Sequence, residues 1–240
     1  MASIVSGAPP GASSSPTWRS LTNRLLAALF EPPCAACRGT LARPLDGSVC
    51  EACWASVSGS AGIQARFDAS RVLSCAAAVD AYDGRMKDII HALKYDRRRS
   101  ISPRLGALMR ERGAAVLRGA NGVVPVPLHP LREYRRGFNQ AHDLAMHLGL
   151  PVLPLLKRIV HTHSQIDLPK HERARNVRDA FAWNHPLGGG AGPSAPAIVV
   201  LIDDVATTGA TLESCARVLR RNGVGDVRAL TAARVETASR

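Results

Sequence analysis

Residues 199–211 read Val-Val-Leu-Ile-Asp-Asp-Val-Ala-Thr-Thr-Gly-Ala-Thr. The unbroken apolar run predicts a buried strand that carries Asp203 and Asp204 to the edge of a sheet. The turn after it contains Thr207, Thr208, Gly209, Ala210 and Thr211 and leads into a helix. Its N–H groups and hydroxyls can converge on one phosphate at the positive end of the helix dipole. Gly209 permits a backbone geometry, or a close backbone approach, that other residues resist. The two carboxylates do not suit a phosphate. As acceptors they suit ribose hydroxyls, and Mg²⁺. A solvated strand end followed by a helix cap would use similar residues, but the fixed order of strand, two acids and phosphate-sized loop favours binding.

A second group begins at Val124-Pro125-Val126-Pro127-Leu128-His129 and continues through Arg132, Arg135, Arg136, Gly137, Phe138, Asn139 and Gln140. A proline-stiffened loop followed by clustered arginines and a glycine hinge suits grasping a pyrophosphate. Taken alone, a flexible basic loop has the same pattern. A third group is Cys34, Cys37, Cys50 and Cys53, two Cys-x-x-Cys knuckles twelve residues apart. That spacing points to a tetrahedral Zn²⁺ with structural, not catalytic, work, because four thiolates leave no open position. Disulfides or a redox pair are the alternatives; a chain without a recognisable signal peptide disfavours the first, and the duplicated motif disfavours the second. The knuckles could also present Arg38 and Arg43 to a nucleic acid. Cys75 and Cys215 are expected in the core, and His161 and His163 are given no function.

The sequence from Arg135 to Ala141, Arg-Arg-Gly-Phe-Asn-Gln-Ala, together with the preceding Val-Pro-Val-Pro-Leu, resembles the signature of the ComF family. So do Lys94-Tyr95 and the stretch 172–181, Glu-Arg-Ala-Arg-Asn-Val-Arg-Asp-Ala-Phe. Residues 199–211 resemble the phosphoribosyl pyrophosphate motif of type I phosphoribosyltransferases. The resemblance covers nearly all of residues 25–235. It implies an α/β fold, a type I phosphoribosyltransferase-like parallel sheet with helices on both faces, plus a small N-terminal four-cysteine zinc finger. It also implies an association with natural competence, the import of single-stranded DNA. Carried over to this chain, Asp203 and Asp204 would bind the ribose hydroxyls. Asp204 would lie closest to the anomeric carbon and stabilise the charge that develops as pyrophosphate leaves. Thr207, Thr208, Gly209, Ala210 and Thr211 would cradle the 5′-phosphate, and Mg²⁺ would bridge pyrophosphate and hydroxyls. Val126, Pro127, Leu128 and His129 would form the pyrophosphate loop. Arg132, Arg135, Arg136, Gly137, Phe138, Asn139 and Gln140 would form a mobile flap.

No acceptor-binding hood is legible; Asn176 and Phe181 are candidates for pocket lining. Three functions fit these residues: a phosphoribosyltransferase, a non-catalytic module of DNA uptake that holds single-stranded DNA or a nucleotide, or a sensor of phosphoribosyl pyrophosphate. Aromatic residues make up 4% of the chain, which weighs against extensive base stacking, with Phe138 as one candidate platform.

These groups need elements to position them. Short β-like runs alternate with amphipathic patterns from about residue 71: strands over 73–82, 122–128 and 197–202 and from 226, and helices over 85–95, 103–117, 139–148 and 211–221. Alternation of this kind predicts a mainly parallel sheet, with ligands at the carboxyl ends of its strands. Residues 1–17 are rich in Ala, Ser, Gly and Pro; a disordered tail is assigned to residues 1–24, the finger to 25–62 and the phosphoribosyltransferase-like domain to 63–240. The formal charge is +12, including the runs Arg97, Arg98, Arg99 and Arg173, Arg175, Arg178. A polyanionic partner and a plain basic surface explain that charge equally well. No apolar stretch approaches the roughly 20 residues needed to span a bilayer, and the cytoplasm is the default location.

Overall fold

The computed structural model describes residues 18–58, 72–159, 180–184 and 195–235. The N-terminal part contains helix α1 (Trp18–Phe30), a short 3-10 turn (Pro44–Asp46) and α2 (Glu51–Ser58). The rest follows as β1 (Cys75–Ala81), α3 (Gly84–Tyr95), α4 (Ser102–Arg112), α5 (Ala114–Leu117), β2 (Gly122–Pro125), α6 (Pro130–Arg136), α7 (Gln140–Ala145), β3 (Leu156–Arg158), β4 (Phe181–Trp183), β5 (Ile198–Ala206), α8 (Ala210–Arg221) and β6 (Asp226–Arg234).

The main sheet has strand order β1-β6-β5-β2, and all three pairings are parallel. Parallel strands need crossover helices, which cover both faces. One face packs Val200, Ile202 and Leu230 against α3, α4 and α7. The other packs Val199, Leu201, Val227 and Ala229 against α8, through Leu212, Cys215, Ala216 and Leu219. The expected α/β class is therefore present. β3 and β4 form a separate antiparallel ribbon whose Leu156 and Phe181 join the α8 side.

The helix expected over 103–117 is divided at Gly113. A Cβ there would lie 2.4 Å from Leu230 Cδ2 and 2.6 Å from the Met109 carbonyl, so only glycine lets the chain approach β6 at this point. Cys75 is exposed at the start of β1, which corrects its expected place in the core; Cys215 is buried as expected.

Residues 18–24 are also corrected: they are helical, not tail. Asn23 is buried and its Oδ1 accepts from Leu45 N–H at 2.8 Å. Arg19 donates to the Leu45 carbonyl at 3.2 Å and pairs with Asp46 at 3.2 Å. These bonds tie α1 to the cysteine-bearing segment. That segment shares its core with the sheet: Leu41, Val49, Trp54 and Val57 belong to the same buried cluster as Ile89, Leu93 and Leu105. Stretch 172–179, Asn176 included, and the pair His161 and His163 lie outside the described residues, as do residues 1–17.

Candidate functional site

β2 and β5 are neighbours, yet their continuing chains leave in opposite directions. The chain after β2 runs through α6 into α7, on the α3 side of the sheet. The chain after β5 turns into α8 on the other side. Such a divergence opens a crevice at the carboxyl ends of the strands. A cleft of about 640 Å³ lies there, lined by Lys94, Tyr95, Arg97, Val126, Pro127, Leu128, Arg132, Arg135, Arg136, Arg158, Asp203, Val205 and Thr211. It thus gathers the acid pair's first member, three of the four expected pyrophosphate-loop residues, the three expected flap arginines and the last threonine of the expected phosphate turn.

The two acids are divided between the faces of β5, as successive residues on a strand must be. Asp203 lines the cleft, and its charge is felt by Cys215 of α8. Asp204 is buried and turns toward α3, where Lys94 Nζ meets its Oδ1 at 2.7 Å. Asp203 Oδ1 also accepts from Asp204 N–H at 2.8 Å. Burial, and then repulsion from Asp204, push the Asp203 carboxyl up to about 7 against the pull of Lys94 and Arg158. Burial works against the Lys94 ammonium, but the charge and hydrogen bond of Asp204 outweigh it and leave its pKa raised.

The turn after β5 is open to solvent. Thr207 and Thr208 are exposed, and Gly209 takes φ 78°, the left-handed region that favours glycine. Thr208 Oγ1 accepts from Ala210 N–H at 3.4 Å. Thr211 in the first turn of α8 faces the cleft, where a helix N-terminus offers unsatisfied donors.

The flap residues divide into two groups. Arg132, Arg135 and Arg136 of α6 reach the cleft. Gly137 ends α6 with φ 85°, and Asn139 caps α7 and donates to the Val126 carbonyl at 3.1 Å. Gln140 is buried. Phe138 is only 6% exposed and belongs to the core, which corrects its candidacy as a stacking platform. His129 caps α6, its Nδ1 accepting from Leu131 N–H at 3.2 Å. The run from Arg97 to Arg99 also has structural work. Arg97 donates to the Arg135 carbonyl at 2.6 Å. Arg99 holds Asp143 through two bonds of 2.7 and 2.9 Å and lies 5.3 Å from the Phe138 ring. Arg136 lies 5.4 Å from the Tyr95 ring. Together these contacts fasten α6 and α7 to the chain that follows α3.

Arg158 supplies a cation on the opposite wall, from the β3–β4 ribbon, with its guanidinium 5.3 Å from the Phe181 ring. Burial first, and the positive charge of Arg132 second, lower its pKa. Sequence reasoning had not placed Lys94, Arg97 or Arg158 in a site. Lys94 had one available signal, its place in the Lys94-Tyr95 pair.

The four cysteines form a compact cluster, all four sulfurs within 4.8 Å of one another. Two of the separations are 4.0 Å, Cys34 to Cys53, and 3.7 Å, Cys37 to Cys50. A tetrahedron with Zn–S bonds of about 2.3 Å has sulfurs about 3.8 Å apart, so the cluster fits such an ion. Cys34 Sγ accepts from Ala36 N–H at 3.4 Å and Cys50 N–H at 3.3 Å. Burial pushes the Cys34 thiol up, but donors from Cys37, Cys50 and Ala36 outweigh it and hold it at about 6, suited to a thiolate ligand. Burial drives Cys53 upward from the ordinary thiol value.

No family model matches the chain. It is 36% identical over 110 residues to competence protein F of Haemophilus influenzae, covering 44% of this chain and 46% of that protein. It is 33% identical over 159 residues to the DNA utilization protein YhgH of Salmonella typhimurium, covering 62% and 67%. The match thus spans about half the length of the first relative and two thirds of the second. A hypoxanthine phosphoribosyltransferase structure from Staphylococcus aureus aligns at 16% identity over 53% of this chain and 61% of that one, with a TM-score of 0.29, a likeness too slight to carry an argument about the site. Among the described residues, no helix is long and apolar enough to cross a membrane.

Proposed function

The chain belongs to the ComF family, and on that footing we propose that its cleft binds a phosphoribosyl pyrophosphate-like ligand in the service of DNA uptake. The observation that carries this reading is the meeting, in one crevice, of Asp203, the α8 N-terminal turn and a set of cations on two walls. Asp203 and Asp204 accept hydrogen bonds from ribose hydroxyls. The turn from Thr207 to Thr211 takes the 5′-phosphate. Residues Val126, Pro127, Leu128 and His129, with Arg132, Arg135 and Arg136, face the pyrophosphate. Mg²⁺ belongs with that pyrophosphate, whose charge it neutralises. Stabilisation by Asp204 of charge growing at the anomeric carbon would make the protein a phosphoribosyltransferase. The names of the relatives, competence protein and DNA utilization protein, support a role in natural transformation. The four cysteines hold one structural Zn²⁺ in a finger of residues 25–62 that serves the larger domain of residues 63–240.

A second reading has an observation of its own. Tyr134 is 87% exposed on the same short helix, α6, that carries Arg132, Arg135 and Arg136, and an exposed aromatic ring suits stacking on a nucleotide base. In this reading the protein holds single-stranded DNA or a nucleotide without turning over a phosphoribosyl group.

Calorimetric titration of phosphoribosyl pyrophosphate with Mg²⁺, paired with an assay of pyrophosphate release in the presence of nucleobases or single-stranded DNA, tests both. Saturable binding lost in Asp203→Asn/Asp204→Asn supports the first reading, and acceptor-dependent release makes it an enzyme. No binding by the folded, zinc-loaded protein overturns it. Binding of single-stranded DNA that Tyr134→Ala weakens then favours the second.

A further inference from the structure

Lys94 comes from the last turn of α3, and its ammonium sits 2.7 Å from Asp204, with 17% of its side chain exposed against 10% for Asp204. A carboxylate gripped in this way has one oxygen filled and its charge compensated. A divalent cation approaching Asp204 meets a fixed positive charge at short range, where partial exclusion of water strengthens the repulsion. Asp203 leaves β5 on the other face, so the adjacent acids do not converge into a cage. Among the described residues, the group of three or more potential ligands close enough to share an ion is the cysteine quartet. Mg²⁺ demands near-octahedral oxygens and is usually bound through one or two carboxylates plus substrate phosphates; here the buried carboxylate is already taken.

We propose that Lys94 is a positioning residue, the built-in counter-ion of Asp204, which keeps the ligand-free cleft from binding a divalent cation so that metal enters only on the phosphates of the ligand. This deepens the phosphoribosyl reading and rests on it for the identity of the ligand. The ammonium also fixes the Asp204 side chain in one orientation, ready for a hydroxyl donor. Its exchange for a neutral side chain turns the acid into a site that a metal can occupy.

The test is a titration of Mn²⁺ into the ligand-free, zinc-loaded full chain, followed by loss of the free-ion electron paramagnetic resonance signal. Lys94→Gln keeps an N–H donor toward Asp204 and removes the charge. It is expected to tighten Mn²⁺ binding at least about tenfold over wild type, and Lys94→Gln/Asp204→Asn is expected to lose the gain. Lys94→Arg, which keeps the charge, is expected to behave as wild type. Equal Mn²⁺ affinity in wild type and Lys94→Gln overturns the proposal, and so does a Lys94→Arg that binds like Lys94→Gln. Should Lys94→Gln fail to fold by circular dichroism, Asp204→Asn decides: unchanged Mn²⁺ binding supports the proposal, and loss of a tight wild-type site overturns it. None of these arms contains phosphoribosyl pyrophosphate, so their failure is distinct from failure of the ligand assignment.

Discussion

Arg104 of α4 holds Glu51 of α2 through two hydrogen bonds of 2.6 and 2.7 Å, while its guanidinium lies 5.1 Å from the Trp54 ring. The pair joins the segment carrying the cysteines to a helix that packs on the main sheet. Arg112 adds a second tie, donating to the carbonyls of Val79 in β1 and Val57 in α2, both at 3.0 Å. The cysteine-bearing segment therefore leans on the core it shares with the main sheet and has little of its own.

The first expectation concerns metal removal. Cys50→Ser or a strong chelator should lower the melting temperature of the whole chain in one cooperative transition, because the buried cluster is shared. Elemental analysis should find one zinc per chain in wild type and a loss in the variant. Separate transitions, with the sheet melting at its usual temperature, would refute the shared core. Arg104→Ala should cost only about 1 kcal/mol, since the ion pair is largely exposed.

Asp203 should show itself in the pH dependence of stability. Its carboxyl titrates near 7 in the folded chain against an ordinary 3.8. The folded state thus binds more protons than the unfolded state between those values, and stability is lost as pH rises from about 4 to about 7. Asp203→Asn carries no such loss. Its melting temperature should match wild type near pH 4 and exceed it by several degrees at pH 8; a gap that stays constant over the series would rule the shift out.

Arg97 should act on motion more than on stability. It bonds the carbonyl of Arg135 at the end of α6, with its own backbone at φ 54°. Arg97→Ala releases that carbonyl. Hydrogen exchange of residues 130–136 should accelerate severalfold while the sheet amides keep their protection. Unaltered exchange in α6 would show that the bond does not restrain this helix.

Phe138 offers a contrast between core and surface roles. Phe138→Ala should destabilise the protein by about 3 kcal/mol through lost burial and a cavity, measured by denaturant unfolding. A neutral substitution that instead weakened nucleic-acid binding would restore Phe138 as a platform.

The acid-bearing strand was legible because an unbroken apolar run bounded by charge permits few other outcomes. The 3.6-residue repeat of Met86, Ile89, Ile90 and Leu93 likewise announced α3, and all four are buried. What escaped was decided by contacts between distant parts of the chain. Lys94 stood out in the sequence through the Lys94-Tyr95 pair alone, and no local pattern foretold that β5 would bring Asp204 against it. Arg158 sits in a three-residue strand, too short for any periodicity to mark. Arg97 and Arg99 carried the charge expected of phosphate ligands, but a carbonyl and a carboxylate inside the protein claim them. Phe138 lay beside arginines in the chain, yet its side chain found the interior. Exposure of Cys75 depended on where β1 begins, and element ends are the part of a pattern that local sequence fixes least.

The division of Asp203 and Asp204 between the two faces of β5 makes that strand a ruler. Side chains on a strand change sides with every step, so one inserted or deleted residue ahead of the acids would exchange their positions. The carboxylate suited to Lys94 would then look toward α8, and its neighbour toward α3. A chain altered in this way by one apolar residue would keep its charge and both acids, and would still present the wrong acid to each wall.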